Sequence, residues 1–256
     1  AYEIPKRDWS SDVCSSDLDC IGLMYPSLLE IREGVKRTIS AINPSNIVMS
    51  STHTHAGPDV VGIWGKNYSS SGVNDVHMRK IVNMATVAIK EAYEKRKYAT
   101  MEYAMGVFGN DWVKNISEPD EIDRGISAIR FRDQNHHSIA TLTNFACHPT
   151  IMDDATTSTS ADYLWGYYHY LDSIQGGVNM FFQGAIGGWI QPEDVPSTFE
   201  NAMYYGSSLG KYVYSMLSNP TVNLSSKLEI ESKTVRDRKS TRLNSSHVSE
   251  SRMPSS

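Results

Sequence analysis

Apolar positions along the chain alternate between helical spacing and short continuous runs. Leu28, Leu29, Ile31, Val35, Ile39 and Ile42 recur at roughly helical spacing after Pro26, a residue suited to a helix start. The pattern predicts a helix that runs to Asn43-Pro44, where proline stops it. Ile47-Val48-Met49 is a short apolar run that suits a buried strand. A second helix is expected after the cap residue Asn74, with Met78, Ile81, Val82, Ala85, Ala88, Ile89 and Ala92 in one stripe. Glu91, Glu94, Lys95 and Arg96 then form its solvated face. Strands are predicted at about 101–108, 125–132 and 138–147, the middle one alternating Ile126, Ala128, Ile129 and Phe131 imperfectly. A helix near 162–174, a strand from Val178 to Phe182 and a helix near 199–217 complete the series. This order predicts an α/β (α+β layered) domain: a mixed β-sheet flanked by helices, with any metal site at strand ends. Asp133-Gln134-Asn135-His136-His137 reads as a polar hairpin turn with exposed histidines.

Composition changes this picture little. The 256 residues are 40% hydrophobic and 21% charged, enough for one sizeable core. A formal net charge of -5 gives no electrostatic reason to expect nucleic acid or an anionic membrane as partner. No run of about 18 apolar residues is present, and the amino end lacks a charged-then-apolar leader pattern. Cys14, Cys20 and Cys147 are odd in number and far apart, which argues against a disulfide framework.

The two ends differ from the middle. Residues 238–256 are rich in Ser and Arg without helical or strand periodicity, and with 7–18 (Arg-Asp-Trp-Ser-Ser-Asp-Val-Cys-Ser-Ser-Asp-Leu) they resemble translated sequencing-adapter read-through. The expected organisation is a partial domain over 19–236, truncated at both ends, with 1–18 and 237–256 artefactual or disordered.

The chemistry lies at strand ends. Ser50-Ser51-Thr52-His53-Thr54-His55-Ala56-Gly57-Pro58-Asp59 follows directly on an apolar strand. If the chain stays extended there, His53 and His55 point to the same side and two imidazoles, favoured zinc ligands, converge. Thr141 to Phe145 is again an apolar strand, ending in Ala146-Cys147-His148-Pro149. A third, Phe181-Phe182-Gln183-Gly184-Ala185-Ile186-Gly187-Gly188, offers small residues where backbone can approach a ligand. No GxSxG elbow, GxGxxG or P-loop occurs. His77 and His169 fall on predicted helices as surface or core residues.

In this order Asn46 to Pro58, Asn144 to Thr150, Ser160-Ala161-Asp162-Tyr163 and Phe182-Gln183-Gly184-Ala185 resemble the amino-terminal catalytic domain of the neutral/alkaline non-lysosomal ceramidase family, over essentially all of 19–236. The resemblance implies a zinc-dependent amidase that cleaves the N-acyl bond of ceramide-like lipids, exported or at a membrane surface. By position, His53 and His148 match two zinc ligands and His55 a second active-site histidine beside the metal. Gly184 and Asp162, in the matching motifs, are the substrate-side candidates. Three positions depart from the family: Gly184 for a serine, Gly187-Gly188 for Gly-Asp, and Ile116 for the arginine of Asn-Arg-Ser.

The resulting expectation is a mononuclear zinc hydrolase of an amide bond that uses zinc-activated water, with a lipid or small-molecule amide as substrate. The remaining family ligands, a Glu and a Tyr, lie further along that family's chain, so this chain is expected to bind zinc weakly and turn over little. Two alternatives stand beside it. One is another HxH metallohydrolase, although Ala56-Gly57-Pro58-Asp59 breaks the HxHxDH pattern. The other is a silent homologue whose Tyr163, Trp165, Tyr167, Tyr168, Tyr170 and Trp189 line a lipid or glycan groove.

Overall fold

A computed structural model describes residues 14–153, 156–219 and 222–223. The chain order is β1 (Cys14–Leu18), α1 (Tyr25–Thr38), a 3-10 turn (Pro44–Asn46), β2 (Ile47–Ser51), α2 (Asp75–Glu94), β3 (Thr100–Val107) and β4 (Val113–Asn115). Then come β5 (Gly125–Arg132), β6 (Ser138–Phe145), α3 (Tyr163–Ile174), β7 (Val178–Gln183), β8 (Ile190–Pro192), α4 (Phe199–Ser218) and β9 (Val222–Asn223). The expected mixed sheet flanked by helices is present. Its five strands run in the order β7-β6-β5-β3-β9, with β6 and β7 parallel and the other pairs antiparallel. Two small sheets sit beside it, parallel β1-β2 and antiparallel β4-β8.

The helices divide into two pairs. α3 and α4 cover the main sheet over a core that includes Ile126, Ala128, Phe145, Leu164, Tyr167, Leu209 and Val213. α1 and α2 bury Ile31, Val35, Ala85 and Ile89 against Ile47 of β2. Asn74 caps α2 as expected, its side chain accepting from the Val76 and His77 amides. Among the described residues no helix is long and apolar enough to cross a membrane.

Several boundaries moved for identifiable reasons. α1 stops at Thr38 rather than near Asn43, because Ile39 is extended; Ile39 and Ile42 stay buried, so the apolar spacing continued past the helix. The imperfect alternation of β5 reflects apolar side chains on both faces: Ile126 and Ala128 join the core under α3 and α4, while Ile129 and Phe131 pack on the opposite side of the sheet. Arg130 occupies a core position on that strand, bonding Glu102, the Gln175 side chain and the Leu217 carbonyl. β4 and β8, three residues each, were too short to leave a period in the sequence. Of the segment 1–18 expected outside the domain, Cys14–Leu18 forms β1; a ladder is made by the backbone and asks for no particular side chain. Residues 1–13 and 237–256 lie outside the described residues.

Candidate metal centre

The turns that follow β2 and β6 meet beyond the end of β7. His53 does not continue the strand: its φ of 68° lies in the left-handed region, so the reasoning from an extended HxH fails while its outcome survives. Thr52 and Thr54 are buried on either side, Thr52 bonded to the Leu18 carbonyl and Thr54 to the Ser160 carbonyl. The two buried threonines alternate with His53 and His55, whose rings face each other and that of His148. Left-handed φ values cluster here, at His53, Asp153, Asp162 and Trp189; among non-glycine residues only His136, in the predicted hairpin turn, shares this conformation elsewhere in the described chain.

Three imidazoles come together. Ring centroids are 5.4 Å apart for His53 and His55, 4.9 Å for His53 and His148, and 5.7 Å for His55 and His148. One donor atom from each lies within 4.8 Å of the others. The Nδ1 of His53 contacts the Ile21 carbonyl at 2.6 Å, and the Nδ1 of His148 contacts the Ile190 carbonyl at 2.7 Å. A carbonyl has no proton to give, so each Nδ1 donates and each Nε2 keeps a bare lone pair. His55 places Nδ1 3.4 Å from the Asp153 carboxylate, and its Nε2 is buried with no hydrogen-bond partner. The indole of Trp189 stacks on His148 at 5.6 Å and 15°.

Electrostatics favours neutral rings. Burial holds His53 and His148 below their ordinary value, outweighing the carbonyls of Ile21 and Ile190 that act the other way, and the neighbouring histidines add to the lowering. Both contributions to folding are therefore fully present above about pH 6.5, the unfolded value, and are lost as pH falls through the depressed folded values. Urea midpoints are expected to drop on acidification below that point, and less steeply in His148→Asn. A midpoint drop equally steep in wild type and variant contradicts this.

A metal ion fits this donor set. Three imidazole nitrogens, one of them orphaned, suit a borderline cation such as zinc, whose tetrahedral ligand nitrogens sit about 3.4 Å apart. The ligand atoms, within 4.8 Å of one another, would close to that spacing around an ion. The Cys147 thiol beside His148 is pushed well up by complete burial, so it offers neither a thiolate ligand nor a nucleophile.

The other expected site residues behave differently. Gly184 closes the end of β7 against β6: its N–H donates to the Phe145 carbonyl, and an added Cβ would stand 2.9 Å from the Ala146 Cβ and 3.0 Å from the Ala146 nitrogen. Gly184→Ser is expected to lower stability by about 1–3 kcal/mol through overpacking, read from urea midpoints; an unchanged midpoint would show that the strand ends yield freely. Asp162 is turned inward at 1% exposure, its carboxylate accepting from the amides of Ile151, Met152 and Tyr163. It holds the loop after His148 rather than facing substrate space. Tyr163 and Tyr167 are wholly buried and Trp165 lies against His169, so these aromatics are mainly packing and do not form one groove. His136 and His137 are exposed in the hairpin turn, and His77 lines a separate cavity of about 470 Å³ with Gly57, Pro58 and Ile81. Position 116, where the resembling family carries arginine, adjoins the Trp189 turn through the bond from the Ile116 amide to the Trp189 carbonyl.

Three residues have site contacts that the sequence reading does not give them: Asp153 beside His55, Trp189, read there as a groove aromatic, over His148, and Gln183. Each bears on the site through contacts between distant segments, and only Gln183 had a local signal, its place at a strand end before Gly184.

Comparison with known proteins bears on the fold. Neutral ceramidase from Pseudomonas aeruginosa superposes with a TM-score of 0.70 at 20% identity, covering 82% of this chain and 37% of that one. The fold is that of neutral ceramidase. A ceramidase complexed with C2 matches equally, at a TM-score of 0.70 and 19% identity over 81% of this chain and 36% of that structure. Neutral ceramidase B of Dictyostelium discoideum is 27% identical over 146 residues, 50% of this chain and 20% of that protein. No family model matches the chain. The chain thus spans one fifth of the curated ceramidase and somewhat more than a third of the solved ones.

Proposed function

We propose that this chain carries the histidine part of a zinc-dependent amide hydrolase of the neutral ceramidase kind, taking a lipid or small N-acyl amide as substrate. The observation that carries the reading is the convergence of His53, His55 and His148 donor atoms within 4.8 Å from two distant segments, on a ceramidase fold. On this reading 19–236 is the catalytic segment, and an exported protein acting at a lipid surface is the setting that fits the similarity.

Zinc bound there would supply a Lewis acid that polarises the substrate carbonyl and makes a water more acidic. The residues of the chain divide the remaining work. His53 and His148 would hold the ion through Nε2, each ring being fixed by the carbonyl at its other nitrogen. His55 presents its unpartnered Nε2 to the same space and moves a proton between the attacking water and the leaving amine, with Asp153 orienting the ring. Water is the nucleophile, since Gly184 stands where the family serine would and Cys147 is sealed in the core. With two histidine ligands, His53 and His148, supplied by the described cluster, zinc would be held weakly by this chain.

With zinc in excess, fatty acid release from a short-chain ceramide is expected to be slow, to stop with a chelator and to return with zinc. His55→Gln should lower it by about 100-fold with zinc content unchanged. Release insensitive to the chelator and to His55→Gln contradicts the reading. Zinc bound at the histidines without release redirects it to other amides.

A further inference from the structure

We infer that Gln183 is the residue that sets the spacing of the two histidine-bearing turns. Its side chain does at this point what the backbone does not. β7 pairs with β6 in register up to Phe145 and Gln183, but β2 belongs to a separate two-stranded sheet, and no ladder joins it to β7. The Gln183 carboxamide fills the gap: Nε2 donates to the Thr52 carbonyl at 2.9 Å and to the Cys147 carbonyl at 2.9 Å, while Oε1 accepts from the Cys147 amide at 3.1 Å. Two carbonyl partners require the nitrogen on their side and the amide partner requires the oxygen, so the amide orientation is fixed by its surroundings.

The partners are the residues immediately before His53 and His148. A planar amide bonded to both tethers the two turns to one rigid group, at the end of a strand held by the main sheet. The Cys147 carbonyl is anchored a second time by the Tyr163 hydroxyl at 2.7 Å, and the His148 amide by the Ile190 carbonyl at 2.8 Å. The β6 side is thus secured in several ways. The β2 side is tied across to β7 through Gln183; the His53 turn is otherwise held by the Thr52 amide on the Leu18 carbonyl, the His53 amide on the Cys20 carbonyl and, towards the His148 turn, the long 3.5 Å bond from the His55 amide to the Pro149 carbonyl. Gln183 is a positioning residue: its carboxamide bonds the backbone of Thr52 and Cys147 and acts on the imidazoles through them.

That this spacing matters to a metal rests on the function proposed above; that Gln183 fixes the turns does not. Two variants separate its bonds. Gln183→Met keeps the length and removes all three. Gln183→Glu keeps an acceptor for the Cys147 amide and removes both donors at neutral pH. Amide hydrogen exchange on the intact chain is the first readout, with Ile129 in β5 as the internal reference for global opening.

Relative to that reference, exchange at His53 should quicken by about tenfold or more in both variants. At Cys147 it should quicken in Gln183→Met and far less in Gln183→Glu. Cobalt affinity, followed by its d–d absorption, should fall by about tenfold or more in both, as for loss of a group that orients metal ligands. Unchanged exchange at His53 and Cys147 overturns the inference, and changed exchange with an unchanged cobalt spectrum and affinity overturns its bearing on the metal. A wild-type chain that gives no histidine-dependent cobalt spectrum instead counts against the metal reading, while the exchange data still decide whether Gln183 fixes the turns.

Discussion

Replacing His148 with alanine lowers zinc affinity by more than about 100-fold, because altering groups that merely orient a ligand already costs 10–100-fold and this change removes a ligand outright. The loss is direct: the bare Nε2 disappears, and with it the ring that Trp189 stacks upon and the Ile190 carbonyl locks. His53→Ala should match it. His55→Ala should cost about tenfold or less if that ring serves proton transfer, since the pair that grips the ion remains. Competition with a chelating indicator, with far-UV circular dichroism as a check on folding, measures all three. Equal losses for the three would make His55 a ligand, and no loss at His148 would remove the site.

The largest effect on stability is expected at Gly206. α3 and α4 touch backbone to backbone: a Cβ at Gly206 would lie 1.7 Å from the Tyr163 carbonyl oxygen and 2.6 Å from the Tyr167 nitrogen. At Gly166 the corresponding approach is 2.5 Å, to the Met203 carbonyl oxygen. Alanine would gain about 1 kcal/mol of helix propensity. The clash outweighs that gain, because neither partner is a side chain that can rotate away and the helices must separate over the core they cover. Gly206→Ala should therefore lose about 3 kcal/mol or more by urea titration. Gly187, where a Cβ meets nothing within 4 Å, is the control, and Gly187→Ala should stay within about 0.5 kcal/mol of wild type. A mild Gly206→Ala would mean that the helix pair is looser than this packing.

How much could be read from the chain depends on the range of the signal. The stripe of Ala85, Ile89 and Ala92 and the Asn74 cap are local, and they make the start and the buried face of α2 legible. The histidines were legible because each follows an apolar strand. Arg130 was not, since its burial depends on Glu102 of β3 and the Leu217 carbonyl of α4, partners that no local pattern names. The turn at His53 was misjudged because its left-handed φ is imposed by tertiary contacts, its amide bonding the Cys20 carbonyl and its ring the Ile21 carbonyl. Asp162 drew attention as part of a motif, yet its carboxylate is consumed by three backbone amides; a motif marks a position without saying which way the side chain turns. Gln183 shows the same limit, as its partners Thr52 and Cys147 are far from it in sequence and meet only in the fold.

The most direct measurement is anomalous scattering at the zinc edge from crystals of the chain grown with zinc. A peak about 2.0–2.1 Å from the Nε2 atoms of both His53 and His148, with His55 beside it, is the predicted result. Zinc bound elsewhere with that space empty would contradict the account.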